Sequence, residues 1–442
     1  MRRIIKRAML VLGVICVLML FSSCTNTTED LYQLPRTSEQ NSQLWSLIEG
    51  ELDKGASYSP PSSGSHRQSL QLEDLDGDGQ REAVSFFQVS GDDKPLKVHI
   101  FRFVDGEYQP AAVIEGEGET IDSISYADMD RDGTVELIIG WQISSDIKLM
   151  TIYTINDFQP YLVESIDYTD YALCDLRGGG MNVFVIRLTS SEQSGEAVLY
   201  SLMPDGELNK SSAAMSAGVI SVSRIQVSPL LNGVNAVFVE GATSEGFLTD
   251  VFTTQRNTFT NITLNSGDSA SSDTYRTLSV YSTDINDDGV LDIPVPVQLN
   301  AAPDSATTYD AVRWYSYSSS GRQSRTVTTF HNSTDGWYLV LPDELVSELY
   351  VRRDTSRGAR SVVFSMPDSV GVVRDVMAIS ALTGDNREDD ALSGNRFLLS
   401  TKGDVIYTGE ILSQDPAYRG LNKDQVSADF HLIYSEWITS EK

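Results

Sequence analysis

Three short acidic loops share one template, and their spacing constrains the fold of the whole chain. They read Asp74-Leu-Asp76-Gly-Asp78-Gly79-Gln-Arg-Glu82, Asp128-Met-Asp130-Arg-Asp132-Gly133-Thr-Val-Glu136 and Asp284-Ile-Asn286-Asp-Asp288-Gly289-Val-Leu-Asp292. Each has the form D-x-[DN]-x-D-G-x-x-[DE] and runs straight into an apolar, strand-like segment. Oxygen side chains at positions 1, 3, 5 and 9 suit a hard cation, and glycine at position 6 permits the sharp turn. The loop starts are separated by 54 and then 156 residues, the second interval being three steps of 52. That arithmetic predicts two eroded copies between the second and third loops. One is Leu173-Cys174-Asp175-Leu176, which continues through Gly178 to Gly180 into Val183–Ile186. The other is Ser228-Pro-Leu-Leu-Asn232-Gly233, leading into Ala236–Val239. Neither keeps the carboxylates.

A second signal supports five copies. An apolar, aromatic-rich stretch follows each loop: Leu96–Phe103, Leu149–Tyr153, Ala197–Leu202, Phe247–Phe252 and Ala311–Tyr315. Several alternate apolar with polar residues, as a half-buried strand does. A fourth strand fits behind each, such as Tyr108–Ile114. Four-stranded units at about 50 residues are the signature of propeller blades.

The loops and their spacing resemble the FG-GAP/VCBS repeats of integrin-type β-propellers, over roughly residues 66–332. The resemblance implies that each loop joins the first two strands of a blade and binds Ca2+. The ligands it implies are Asp74, Asp76, Asp78 and Glu82; Asp128, Asp130, Asp132 and Glu136; and Asp284, Asn286, Asp288 and Asp292. The backbone carbonyls of Gln80, Thr134 and Val290 would add one oxygen each. An EF-hand needs a bidentate Glu at position 12, where this chain has Ser85, Ile139 and Val295, so that reading fails. The competing reading of these loops is a solvated Asp/Gly turn between strands.

The flanks differ. Leu44, Leu47, Ile48 and Leu52 fall on one helical face, with Gly55 as a stop, which predicts a short helix before the sheets. The tail, 333–442, carries strand-like runs without acidic loops. Val426, Phe430, Ile433 and Trp437 at helical spacing predict a final helix that includes His431. The tail reads either as a small α+β module or as closing blades. The expected fold is therefore mainly β: about five four-stranded blades in a propeller-like array, a short N-terminal helix and a C-terminal α+β module.

The chain opens Met1-Arg2-Arg3-Ile-Ile-Lys6-Arg7, followed by an apolar run to Phe21 and then Ser22-Ser23-Cys24. A basic start, a short apolar core and small residues form a secretory signal over 1–23. Cys24 after two serines resembles a bacterial lipobox, with Phe21 where leucine is usual. That reading makes Cys24 the lipidated first residue of a tether over 24–65, anchored to the outer face of the cytoplasmic membrane. The alternative is an ordinary signal or an uncleaved anchor. Losing Arg2, Arg3, Lys6 and Arg7 takes the formal charge from −29 to −33. A surface this acidic repels nucleic acid and attracts divalent cations. With Cys16 in the signal, only Cys24 and Cys174 remain, so no disulfide framework or cysteine zinc site is available.

No H-E-x-x-H, G-x-S-x-G or P-loop pattern occurs. His66, His99, His331 and His431 read as surface or packing residues, Cys174 as a buried thiol, and Trp141, Trp314, Trp337 and Tyr315 as core. Two functional classes stand. One is a surface-anchored binding or scaffold module for a protein or glycan, without catalysis. The other is a secreted polysaccharide-acting enzyme or enzyme subunit whose acid pair lies on the propeller face.

Overall fold

The computed structural model describes residues 39–188, 195–302, 307–355, 359–413 and 421–434. The signal segment, Cys24 and Trp437 lie outside them. Antiparallel sheets succeed one another along the chain, each a meander of consecutive strands. In the first sheet, Ser57–Tyr58 and Leu70–Glu73 share one edge of Glu82–Gln88, and Leu96–Val104 and Glu107–Gly116 follow. The second sheet runs Thr120–Ala127, Glu136–Ser144, Ile147–Asn156 and Gln159–Tyr168. The third runs Asp170–Cys174, Asn182–Arg187, Glu196–Leu202 and Leu208–Ala214. The fourth runs Ser221–Pro229, Asn235–Ala242, Phe247–Gln255 and Thr258–Asn261. In three of these sheets a two-residue turn with positive φ at both positions joins the last two strands. The turns are Asp105-Gly106, Asp157-Phe158 and Arg256-Asn257, the backbone whose twist matches a right-twisted hairpin.

Strand periodicity explains how the sheets stack. Side chains alternate across a strand, so Val84 and Phe86 pack toward the second sheet, against Ile124, Leu137 and Trp141. Ala83 and Phe87 point the other way. Val183 and Val185 meet Ile138 and Ile152 of the second sheet, while Phe184 and Ile186 meet Val237 and Phe252 of the fourth. The second strands of these sheets are accordingly buried on both faces. Each such side chain contributes about 1.5–3 kcal/mol by leaving water. The free face of the first sheet is covered by the helix Glu39–Asp53, whose Leu44 and Ile48 pack on Phe87, Phe101 and Tyr108. Gly55 ends that helix at φ +100°. Among the described residues, no helix is long and apolar enough to cross a membrane.

The fifth sheet begins with only a bridge, Thr283 to Asp292, in place of a first strand. It continues as Ile293–Gln298, Asp310–Tyr317, Gln323–Asn332, Trp337–Leu341 and Phe430–Leu432. The sheet therefore crosses the 332/333 position. A sixth sheet is built from Asn300–Ala301, Tyr350–Asp354, Arg360–Pro367, Val373–Leu382, Val405–Ile411 and Arg396–Lys402, and its first pair is parallel. One core joins the two sheets: Phe330, Trp337, Leu339, Phe364, Ile379, Tyr407 and Phe430.

The final helix is shorter than its periodicity suggests. It spans Lys423–Asp429, capped by the Asn422 side chain, which accepts from the Asp424 and Gln425 amides. Phe430 is already extended and pairs with Leu339. From this strand Phe430 packs against Trp337 and Tyr407, ring centroids 5.7 Å from each. His431 thus lies on a strand and stacks on Tyr338, ring centroids 4.8 Å apart. Trp141, Trp314 and Trp337 are buried, as expected.

Between the fourth and fifth sheets, a buried hydrogen-bond network stands beside the apolar packing of Leu230, Phe238 and Val251 on Leu291 and Ile293. Glu240 and Arg276 form a fully buried ion pair. The guanidinium also donates to Val280 O at 2.5 Å, Thr249 Oγ1 at 3.0 Å and Thr274 O at 3.0 Å. Glu240 accepts from Ser282 N at 2.7 Å and Thr249 Oγ1 at 2.8 Å. Removing one partner strands the other in a low-dielectric site. Arg276→Ala is expected to destabilise the fold by about 3–5 kcal/mol in urea unfolding. Lys54→Ala, which breaks an exposed pair with Glu51, should cost under about 1 kcal/mol.

Candidate metal centres

The three acidic loops fold alike. In each, positions 4 and 6 have positive φ: Gly77 +73° and Gly79 +87°, Arg131 +65° and Gly133 +92°, Asp287 +58° and Gly289 +84°. The position 5 carboxylate accepts from the amide two residues on, at 2.7 Å from Gln80, 2.7 Å from Thr134 and 2.9 Å from Val290. The acid at position 9 is buried and reaches back to the amide at position 2. Glu82 accepts from Leu75 N at 2.9 Å, Glu136 from Met129 N at 2.7 Å and Asp292 from Ile285 N at 3.4 Å.

Position 2 also carries the loop's apolar anchor. Leu75 is buried between the first and second sheets, and Met129 between the second and third. The eroded loops keep the anchor: Leu176 sits between the third and fourth sheets, Leu230 between the fourth and fifth. The first eroded loop also keeps the twist, with Gly178 at φ +67° and Gly180 at +120°. The loops touch each other in sequence. Val135 N donates to Leu75 O at 2.9 Å, and Asn235 Nδ2 to Asp175 O at 2.9 Å. A Cβ on Gly77 would lie 2.3 Å from Gly133 O, and one on Gly180 2.3 Å from Met129 O. Glycine at these two positions is what allows neighbouring loops to approach.

In the first loop, Asp74, Asp76 and Asp78 bring carboxylate oxygens within 4.8 Å of one another. Asp128, Asp130 and Glu136 do the same in the second. Asp74 Oδ1 is buried and has no hydrogen-bond partner, whereas Oδ2 accepts from Gly79 N at 3.0 Å. A buried carboxylate oxygen without a donor, facing two further carboxylates, is the donor set a hard divalent cation needs. The residues present therefore fit Ca2+.

The remaining acids are partly committed. Glu82 holds the base of its loop, and Asp132 accepts from Thr134 Oγ1 at 2.6 Å. In the third loop, Asp284 accepts from Asp288 N at 2.9 Å and Gly289 N at 2.7 Å, and Asn286 Nδ2 donates to Asp288. Asp292 accepts from Ser316 Oγ at 2.6 Å and Thr326 Oγ1 at 3.0 Å. The structure does not draw Asp284, Asp288 and Asp292 to one point. The acid-poor Asp175 accepts from Gly178 N at 2.6 Å and pairs with Arg131 at 3.7 Å.

Burial, reinforced by the neighbouring aspartates, pushes both Glu82 and Glu136 up to about 7. Burial raises Asp130 and Asp292 as well. Sequence reading missed one other group: Asp122, Lys148 and Tyr171, which meet in a groove outside the loops, with Tyr168 behind them on Asp122. These residues lie on different strands with no shared motif, so only the fold brings them together.

No protein-family model matches the chain, and no curated protein is similar to it. Solved structures that match the chain include the exotype rhamnogalacturonan lyase YesX, at 11% identity and TM-score 0.30, covering 80% of this chain and 72% of that one. Rhamnogalacturonan lyase YesW matches at 12% identity and TM-score 0.29, over 85% and 77%. A 6-phosphogluconolactonase-like protein from Bacteroides uniformis matches at 11% and 0.31, over 72% and 86%. Likeness this distant says nothing about chemistry.

Two outcomes are expected. Calcium at a hundredfold excess over its Kd should stabilise the native state by about 2.7 kcal/mol per site, read as a rise in Tm. Asp76→Ala with Asp130→Ala should remove most of the rise, and Asp175→Ala should leave it. No shift at millimolar calcium would sink the metal assignment. The second outcome concerns pH without metal. A carboxyl raised in the folded state binds its proton more tightly there than in the unfolded chain. Its stabilisation is present below about pH 4.5 and is lost as pH rises through about 7. Tm in chelator should therefore fall between pH 5 and 8, and Glu82→Gln with Glu136→Gln should flatten that fall.

Proposed function

We propose that this chain is a calcium-stiffened, β-propeller-like binding module, held at the outer face of a bacterial membrane by lipid on Cys24. The observation that carries the metal part is the unpartnered buried oxygen of Asp74 beside Asp76 and Asp78. The second loop, with Asp128, Asp130 and Glu136, would hold a second ion, with Asp132 and Thr134 beside them. Bound calcium supplies positive charge that relieves the repulsion among these acids. The chain's own part is to pre-twist each loop and fix its base through Glu82 or Glu136. Such ions act as structural clips, since extracellular sites of this kind bind at about 10⁻⁴–10⁻³ M. The third loop, already satisfied by its own hydrogen bonds, is the weakest of the three. Binding is the favoured activity because the acids concentrate in loops where a metal accounts for them. The partner is a protein or glycan, and the net charge of −29 disfavours nucleic acid.

The anchor is tested by metabolic labelling with a lipid precursor. Cys24→Ala should abolish label and release the protein from the membrane fraction; unchanged labelling would refute the lipobox. Partner capture from envelope fractions should be weaker in chelator than in calcium.

A further inference from the structure

The first strands of the second, third and fourth sheets come together around an open groove of about 340 Å³. A short N-terminal segment, Ser63 to Ser65, forms its remaining wall. Ser62 N and Ser63 N pin this segment to Ile121 O and Asp122 O, at 3.0 and 2.8 Å.

One side of the groove is a fixed polar network. Asp122 is buried; it pairs with Lys148 Nζ at 2.9 Å and accepts from Tyr168 OH at 2.6 Å. Tyr171 OH meets Ser123 Oγ at 3.1 Å and Ser125 Oγ at 3.0 Å. The two tyrosine rings pack edge to face, centroids 5.7 Å apart. Ala172, Leu173 and Ile225 supply the apolar part of the lining.

We propose that this groove binds one neutral saccharide unit, its hydroxyls on the Ser63–Ser123–Ser125–Tyr171 side and its C–H face on Leu173 and Ile225. Hydroxyl side chains both donate and accept, so they match a ligand whose own groups do both. The volume sits at the small end of the usual range of about 300–1,000 Å³, which suits a small ligand. An anion is disfavoured: the lining carries Asp122 and Asp170, and its one cation, Lys148, is already engaged by Asp122. The proposal rests on the reading of the chain as a binding module and names that module's site and ligand class.

The test is titration calorimetry of the full-length chain with neutral hexoses and 6-deoxyhexoses, and with glucuronate and glucosamine as charged counterparts. Saturable binding of a neutral sugar is expected. Tyr171→Phe removes the hydroxyl that holds both serines and should weaken binding about tenfold. Ser65→Trp, at an exposed loop position, should fill the groove and abolish binding. Both variants should keep the calcium-dependent rise in Tm; if Tyr171→Phe fails to fold, Ser65→Trp decides. The proposal is overturned if no neutral sugar binds, if only a charged sugar binds, or if binding survives Ser65→Trp. Sugar binding without a calcium shift would remove the metal reading and leave the groove. A calcium shift without sugar binding would do the reverse.

Discussion

In each acidic loop a buried carboxylate at the last position accepts from the amide of the second residue, and that second residue is the one wedged into or against the apolar core. The hydrogen bond therefore ties the electrostatic end of the loop to the hydrophobic contact behind it. Shifting the carboxylates would move Leu75 or Met129 in the core. The eroded loops show which half of the device the stack requires. Leu176 and Leu230 persist where the carboxylates are gone. The apolar wedge thus persists between the third, fourth and fifth sheets without the acids, while the first two loops add clustered carboxylates to the same wedge.

The chain handles buried acids in two contrasting ways. Glu240 meets a guanidinium and two further donors, so its charge is compensated within the protein. Glu82 and Glu136 have only one backbone donor each and face other carboxylates, which burial turns into a strong preference for a proton. The first arrangement is complete as folded. The second leaves its carboxyls holding a proton up to about pH 7.

The succession of sheets was legible because acids and glycines recur at a near-constant interval, and because anchor residues recur even where the acids do not. The N-terminal helix was legible from Leu44, Ile48 and their neighbours. The shared twist of the acidic loops and the clustering of their acids were legible because those residues are contiguous in the chain. Other features depend on tertiary context. Phe158 and Arg256 adopt positive φ because strand pairing demands it, although neither residue favours that backbone. Phe430 is extended and pairs with Leu339, a partner about 90 residues away that helical spacing does not reveal. The groove around Asp122 gathers residues from three sheets and one connecting segment, and no local pattern announces such a convergence.

The helix over the first sheet has a consequence for how many molecules associate. A stack of sheets held face to face has no intrinsic stopping point, since each face invites another. Ala83, Phe87, Phe101 and Tyr108 form such a face at the start of the array. Leu44 and Ile48 occupy it in cis, before any second copy can. The fifteen-residue helix thus ends the array at this face, presenting its other side to solvent where a further sheet would otherwise pack.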